Sequence, residues 1–338
     1  MAALPAWRRI RRTARTGAMA SEPAAQKPGA HGGDEDRATP GGLRYFPVPE
    51  SPYRLSLGLQ VLDPADWFEI DDDLARDLAH KQALLAERRD VIFRAVPEST
   101  DLQAVAFRHV ADHLLTRHRD IYSGTPDAVH VGPTGQTVRP DPAAPLMSTA
   151  ALVQEDIAIM APGPDGFRLV AAMIAFPTRW HLGEKIGKAL REIHAPVPGY
   201  DRSLARPMDR MFAGLRPGRL LWRANYSLLQ NPALHQPGGH SVADTGQNLV
   251  AETLGHDLWF RVERQTISVL PDTDAVIFTV RIHRARLQDV AHSPERAAAM
   301  LHALDTTPAD MKLYKSLPGF EDPLREWLSG RAGRPPNG

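Results

Sequence analysis

Two segments with alternating polar residues carry the clearest chemical signal in the sequence. Because successive side chains of a β-strand point to opposite faces, LWRANYS would place Arg223 and Asn225 on one face. WFRVERQTI would place Glu263 on one face and Arg264 on the other. Polar rows on two strands can line a pocket for a charged ligand, or they can form an ordinary solvent-exposed face.

His194 ends a helical pattern at a position that suits a metal ligand. Leu190 and Ile193 belong to an apolar stripe, and His194 follows Leu190 by four residues, so it borders the buried side of the predicted helix. Two prolines shortly after it must end that helix. A histidine fixed at a helix end and aimed inward suits an axial metal ligand. A buried histidine bonded to a carbonyl oxygen is the alternative.

Two further pairs of ionisable residues have a spacing that allows chemistry. His109 and His113 lie four residues apart on a predicted helix, so their imidazoles could share a metal ion. They lie among arginines and outside the apolar stripe, and we expect a solvated helix face instead. Glu155 and Asp156 open a predicted strand, where two carboxylates could hold a cationic amine.

Composition excludes several classes of protein. The 338 residues contain no cysteine, which rules out disulfides, thiolate nucleophiles and cysteine-ligated iron–sulfur clusters. Forty basic residues balance forty acidic ones, so there is no overall charge to attract nucleic acid. No apolar run approaches the roughly 18 residues of a transmembrane helix. The dinucleotide-binding, phosphate-loop and GxSxG motifs are also missing.

The elements that must position these residues follow from periodicity and turn signals. Helices are expected at 74–95, 101–118, 183–194, 203–214, 293–305, 308–316 and 321–328, and strands at 155–161, 167–176, 220–228, 258–269 and 274–283. Residues 124–146 are rich in proline and glycine and predict a loop with one short hairpin near residue 134. Helices and antiparallel strands in this order favour an α+β fold over an alternating parallel α/β fold.

The chain divides into a tail and one domain. Residues 1–42 begin with five arginines and continue into a Gly-, Pro- and Ala-rich stretch, which predicts a disordered basic arm. Residues 43–330 are expected to form a single domain. A polar insertion at 231–257 interrupts its strands, and insertions of this length are often lids or binding loops.

Several long blocks carry a family resemblance. In order they are VLDPADWFEIDDD, LVQEDIAIM, AFPTRWHLGEKIGKALREIHAPVPGY, LWRANYSL, FRVERQTISVLP and AVIFTVRIH. Together they resemble the alpha-subunit family of haem-dependent oxidative N-demethylases, whose members are also called dimethylamine monooxygenases. The similarity covers roughly residues 43–318.

The resemblance implies a PAS-like antiparallel sheet core with added helices, binding haem b. It implies O₂-dependent removal of an N-methyl group from a small amine as formaldehyde, with electrons from a separate reductase that carries NADPH, FMN and an iron–sulfur cluster. With it, His194 becomes the expected iron ligand, and Arg223 and Asn225 are expected on the distal or propionate side. Glu263, with Glu155, would offset an alkylammonium charge, and Arg264 could instead bind a propionate.

Two alternatives stay open. The chain could be a haem-PAS sensor or gas-binding protein without turnover, which would show no reductase-coupled activity. It could also be a metal-free protein that binds a small molecule on its polar strand faces, which would contain no iron. The missing export signal and the need for an NADPH-linked reductase predict a cytoplasmic protein with no nucleic-acid or membrane partner.

Overall fold

A computed structural model describes residues 42–49, 52–239 and 249–333. The predicted tail at 1–42 lies outside these residues except for Gly42, and so does the middle of the predicted insertion, 240–248. The disordered tail and the single domain stay predictions.

A seven-stranded antiparallel sheet forms the centre of the fold. Its strands, in chain order, are β1 (Gln60–Val61), β2 (Phe93–Ala95), β6 (Asp156–Gly163), β7 (Gly166–Met173), β8 (Leu221–Leu229), β9 (Trp259–Val269) and β10 (Val276–Arg286). Their order across the sheet is β1-β8-β9-β10-β6-β7-β2, and each neighbouring pair is antiparallel. A small second sheet contains β3 (Tyr122–Thr125), β4 (Ala128–Val131) and β5 (Gln136–Val138). The α+β prediction is confirmed.

Helices pack around this sheet. They are α1 (Leu74–Ile92), α2 (Thr100–Arg117), α3 (Pro145–Ala150), α4 (Leu190–Ile193), α5 (Tyr200–Ser203), α6 (Ala205–Gly214), α7 (Leu254–Asp257), α8 (Leu287–Val290), α9 (Pro294–Thr306), α10 (Ala309–Tyr314) and α11 (Glu321–Arg331). None of the helices in the described ranges combines the length and the apolarity that a bilayer crossing requires.

The two faces of the sheet have different coverings. We call the face that presents Arg223 and Glu263 the front face, and the face that presents Arg264 the back face. Apolar side chains of α1, α2 and α3 pack on the back face at one end, and α7, α8, α9 and α11 pack on it at the other. On the front face, residues of α4 and α6 pack on β6, β7 and the Leu221–Ile267 end of β8 and β9.

The predicted helix at 183–194 is wrong in its first two thirds. Only a 3₁₀ turn (Leu182–Glu184) and α4 are helical there. Gly187 adopts φ +78°, a left-handed conformation that glycine reaches without strain and that ends a helix. The chain then pairs with β7, because Gly187 N donates to Leu169 O and Leu169 N donates to Lys188 O. Tertiary pairing therefore replaced local helix propensity.

The segment at 124–146 contains more structure than the sequence predicted. The hairpin near residue 134 is confirmed as the β4–β5 turn, which ends at Gly135 with φ +67°. The strand β3 and the helix α3 were missed. Similarly, the helix expected at 74–95 ends at Ile92, and 93–95 form β2 on the edge of β7.

Candidate functional site

The register of β8 and β9 brings the predicted polar residues together on the front face. Arg223 pairs with Gln265, and Asn225 pairs with Glu263, so all four side chains point to the same side. Nε2 of Gln265 donates to Glu263 Oε2 at 3.0 Å, and Nδ2 of Asn225 approaches the same oxygen at 3.5 Å. Glu263 is therefore held from two sides through one of its oxygens.

The centre of the front face is half open. Strands β9 and β10 are the third and fourth of seven, yet their front-facing side chains are only partly buried: Glu263, Gln265, Phe278 and Val280. Their neighbours on the back face are buried: Arg264, Thr266, Thr279 and Arg281. Central strands normally lose solvent contact on both sides when helices cover them. The front face thus offers a mixed polar and apolar surface to a ligand.

His194 lies directly after α4, where its tautomer is fixed. Nδ1 lies 2.8 Å from the carbonyl oxygen of Leu190. A carbonyl oxygen only accepts, so Nδ1 carries the hydrogen and Nε2 keeps the lone pair. Burial lowers the pKa of His194, and the positive charges of Lys185 and Arg223 lower it further. The ring is therefore neutral and in the form that binds a metal ion through Nε2.

A second histidine has the same tautomer but not the same access. Nδ1 of His235 lies 2.7 Å from Ala175 O, which leaves the lone pair on Nε2. That Nε2 is enclosed and has no hydrogen-bond partner within the described residues. Nε2 of His194 has no partner there either but is not enclosed. Of the two, His194 is the one that a ligand can reach.

The segment before His194 is fixed by contacts at both ends of α4. The side chain of Glu192 accepts from Ala189 N at 3.0 Å, and Lys185 Nζ donates to Ile193 O at 3.1 Å. The His194 ring stacks on Tyr200 with centroids 4.9 Å apart. Leu190 and Ile193 belong to the same apolar cluster as the front-face side chains of β8 and β9. His194 and the polar residues of the front face consequently belong to one region of the fold.

Arg264 lies on the back face, apart from the other expected site residues. Its guanidinium donates to the carbonyl oxygens of Trp67 and Asp66, and its Nε lies 3.5 Å from a carboxylate oxygen of Glu69. These contacts hold residues 66–69 against the sheet. The structure therefore gives Arg264 a packing environment and does not bring it to Glu263.

Glu155 and Asp156 surround an amine that belongs to the chain itself. Nζ of the buried Lys81 donates to Val153 O at 3.0 Å and to Glu155 O, and it lies 3.9 Å from Asp156 Oδ1. Burial lowers the pKa of Lys81, and the nearby carboxylates of Asp156 and Glu155 oppose this effect. Glu155 itself is buried and accepts from Glu69 N, far from Glu263.

The back face also contains an ionic network that the sequence did not predict. Glu69 accepts from Tyr45 at 2.5 Å and lies 2.7 Å from Nε2 of His283. Although burial alone would raise the pKa of Glu69, hydrogen bonding to His283 and the charge of Arg264 lower it to about 2. Glu69 and His283 are 214 residues apart, so no local spacing could indicate the pair.

The prediction of a solvated face for His109 and His113 is wrong. Both are partly buried and pack against Trp67, with ring centroids 4.7 and 5.1 Å away. Burial lowers the pKa of His113 to about 4. They line a cleft of about 830 Å³ between α2 and the β9–β10 turn, away from His194. Within the described ranges no cluster of three or more histidine, aspartate or glutamate side chains could hold a metal ion.

Fold and site together define an α+β protein with a ligand-accessible neutral histidine beside a half-open, mixed polar and apolar sheet face. Residues 58–325 match the family model described as haem-dependent oxidative N-demethylase, alpha subunit-like. The chain belongs to this family, whose name states haem dependence, an oxidative N-demethylase activity and a place in an assembly of more than one kind of chain.

The residues present fit a haem. A porphyrin supplies four of the iron ligands, so a single imidazole from the protein is sufficient. His194 offers that imidazole with its tautomer fixed by a backbone carbonyl, the arrangement that orients metal-binding histidines. Phe278 and Val280 supply apolar surface for the ring, and Arg223 supplies a cation on the same face.

Proposed function

We propose that this chain is the catalytic component of a haem-dependent N-demethylase that acts on a small methylated amine and releases formaldehyde. The accessible lone pair of His194 Nε2 beside the half-open front face carries this proposal. Membership of the N-demethylase family supports it. The PAS-like arrangement of the sheet is part of the same proposal.

His194 would hold the haem iron through Nε2, and Arg223 and Asn225 would face the haem or its substrate from β8. When bound, haem b supplies the O₂ activation and the oxidation of the methyl carbon that protein side chains cannot perform. The chain's own contribution is to fix the imidazole, to exclude water with α4 and the apolar front-face residues, and to orient the amine.

Glu263 is the residue proposed to bind the amine. A protonated alkylamine on a partly buried surface needs an opposite charge. Oε2 of Glu263 is occupied by Gln265 and Asn225, while Oε1 has no hydrogen-bond partner among the described residues. An ammonium N–H can donate to Oε1, which would direct its methyl groups over the front face. Glu155 and Arg264 have no part in this proposal because both lie elsewhere.

The electrons would come from a separate reductase. The chain has no cysteine with which to ligate an iron–sulfur cluster and no dinucleotide fingerprint in its sequence. A partner carrying FMN and an iron–sulfur cluster, reduced by NADPH, would supply two electrons per O₂. The name alpha subunit-like supports a partner of some kind. Use of NADPH would place the reaction in the cytoplasm.

The test combines a spectrum with a product assay. Purified protein is supplemented with haem, its Soret band and iron content are measured, and formaldehyde is then assayed with dimethylamine, NADPH and a flavin/iron–sulfur reductase. We expect one haem per chain and formaldehyde that depends on both amine and reductase. Haem without amine-dependent formaldehyde would favour the sensor alternative, and a chain without bound haem or iron would favour the metal-free binding protein.

A further inference from the structure

A buried lysine lies at the edge of the front face, outside the elements that the sequence singled out. Nζ of Lys315 donates to Tyr226 O on β8 at 3.0 Å and lies 4.9 Å from the centre of the Tyr226 ring. β1 pairs with β8 only at Leu221 and Trp222, so no strand in the described ranges covers this edge at Tyr226. The ammonium of Lys315 occupies the place that a further strand would take.

A strained turn fixes the position of Lys315. Leu317 N donates to Lys312 O and Ser316 N donates to Leu313 O, the paired hydrogen bonds of a Schellman motif at the end of α10. The residue in the left-handed position is Ser316, with φ +55°, where glycine is usual. Buried Leu317 anchors the turn in the apolar cluster below it. A non-glycine residue held in this conformation is a feature that clusters at functional sites.

Lys315 adds positive charge to the polar residues of the front face. The charged and titratable groups of this cluster are Glu263, Arg223, Tyr226, Tyr314 and Tyr53. Burial lowers the pKa of Lys315 to about 8, with Glu263 opposing this effect and Arg223 adding to it. Two cations thus face one carboxylate, and that carboxylate already accepts from Gln265. The cluster has one positive charge in excess, which suits an anion.

We propose that Lys315 and Arg223 together bind a carboxylate group of the ligand on the front face. Resting on the function proposed above, that carboxylate is a propionate of haem. A partly desolvated ammonium with only one backbone partner can donate its remaining N–H groups to such an anion in charge-assisted hydrogen bonds. The role of Lys315 is to bind and orient the cofactor.

This placement makes haem binding depend on pH above neutrality. A bound propionate would stabilise the ammonium form of Lys315 and raise its pKa above the value of about 8 in the free protein. Between these two values the complex holds more protons than the free protein, so haem affinity should fall as the pH rises through 8.

The test uses two ligands and three variants. The wild type, Lys315→Met, Lys315→Arg and Lys312→Met are titrated with haem and with haem dimethyl ester, whose propionates are uncharged, at pH 7 and pH 9. Lys312 lies on the same helix and pairs with Glu321, so Lys312→Met controls for damage to α10. Melting temperatures confirm that each variant is folded.

We expect Lys315→Met to bind haem about tenfold more weakly than the wild type at pH 7 and to bind the dimethyl ester equally well. Lys315→Arg should keep the affinity and lose the fall between pH 7 and pH 9, and Lys312→Met should resemble the wild type. Unchanged haem affinity in Lys315→Met, or equal weakening of both ligands, would overturn the assignment of Lys315 alone. A wild-type chain that binds no haem would overturn the proposed function and this inference with it.

Discussion

His194 Nδ1 and the carbonyl oxygen of Leu190, one helical turn earlier, are 2.8 Å apart, and this contact decides which ring nitrogen is available for chemistry. The hydrogen sits on Nδ1, so the lone pair sits on Nε2. Backbone carbonyls commonly orient metal-binding histidines in this way. The same contact also satisfies the buried-histidine alternative, and experiments on the haem must separate the two.

His194→Ala should lower haem occupancy, because it removes the imidazole that we assign to the iron. Added imidazole should partly restore the ferric spectrum by occupying the vacated position. His235→Ala is a matched control, since His235 makes the same contact to a backbone carbonyl but its Nε2 is enclosed. The measurement is haem per folded chain alongside melting temperature. Full haem with an unchanged axial-ligand spectrum in folded His194→Ala would remove His194 from the site.

Glu263→Gln should weaken amine binding about tenfold or more, the effect expected when a charged acceptor becomes neutral. The haem spectrum without amine should stay as in the wild type, because Glu263 is assigned to the substrate. Amine-induced changes in that spectrum give the affinity, and KM should rise more than kcat falls. Glu184→Gln, an exposed carboxylate before α4, is the control. Equal amine affinity in the wild type and Glu263→Gln would contradict the assignment.

Arg264→Met and Arg223→Met should have opposite effects, although the two residues lie on neighbouring strands. Arg264→Met leaves the carbonyls of Trp67 and Asp66 and the charge of Glu69 without their partner, and should cost about 2–4 kcal/mol in the free energy of unfolding. Arg223→Met should keep most of that stability and weaken haem binding. Urea unfolding and haem titration of both variants decide this. A stable Arg264→Met chain with a selective loss of haem binding would argue against the separation.

Glu69→Gln should reduce stability in a pH-dependent manner. The folded pKa of Glu69 is about 2, below its ordinary value of 4.5, so its charged form stabilises the fold above pH 4.5. This contribution, about 3 kcal/mol for a shift of this size, is lost as the pH falls from 4.5 through 2. The difference in unfolding free energy between the wild type and Glu69→Gln should therefore be largest near pH 7 and shrink towards pH 2. A constant difference across that range would show that the ionised form is not stabilising.

The sequence by itself determined the features that depend on local periodicity. The alternation in LWRANYS and WFRVERQTI was sufficient to put Arg223 and Asn225 on one face of their strand and to set Arg264 opposite Glu263. The long strands β8, β9 and β10 were predicted within a few residues for the same reason. Proline after His194 was sufficient to end its helix, because proline lacks an N–H and its ring clashes with the preceding turn.

Tertiary structure decided everything that depends on partners distant in the chain. The register that sets Asn225 opposite Glu263 joins residues 38 positions apart, and Lys315 reaches Tyr226 across 89. His109 and His113 pack on Trp67 because the chain before α1 folds back over α2, which their own helix cannot reveal. Hydrophobic burial and strand pairing are summed over the whole fold, so they override local preference wherever the two conflict.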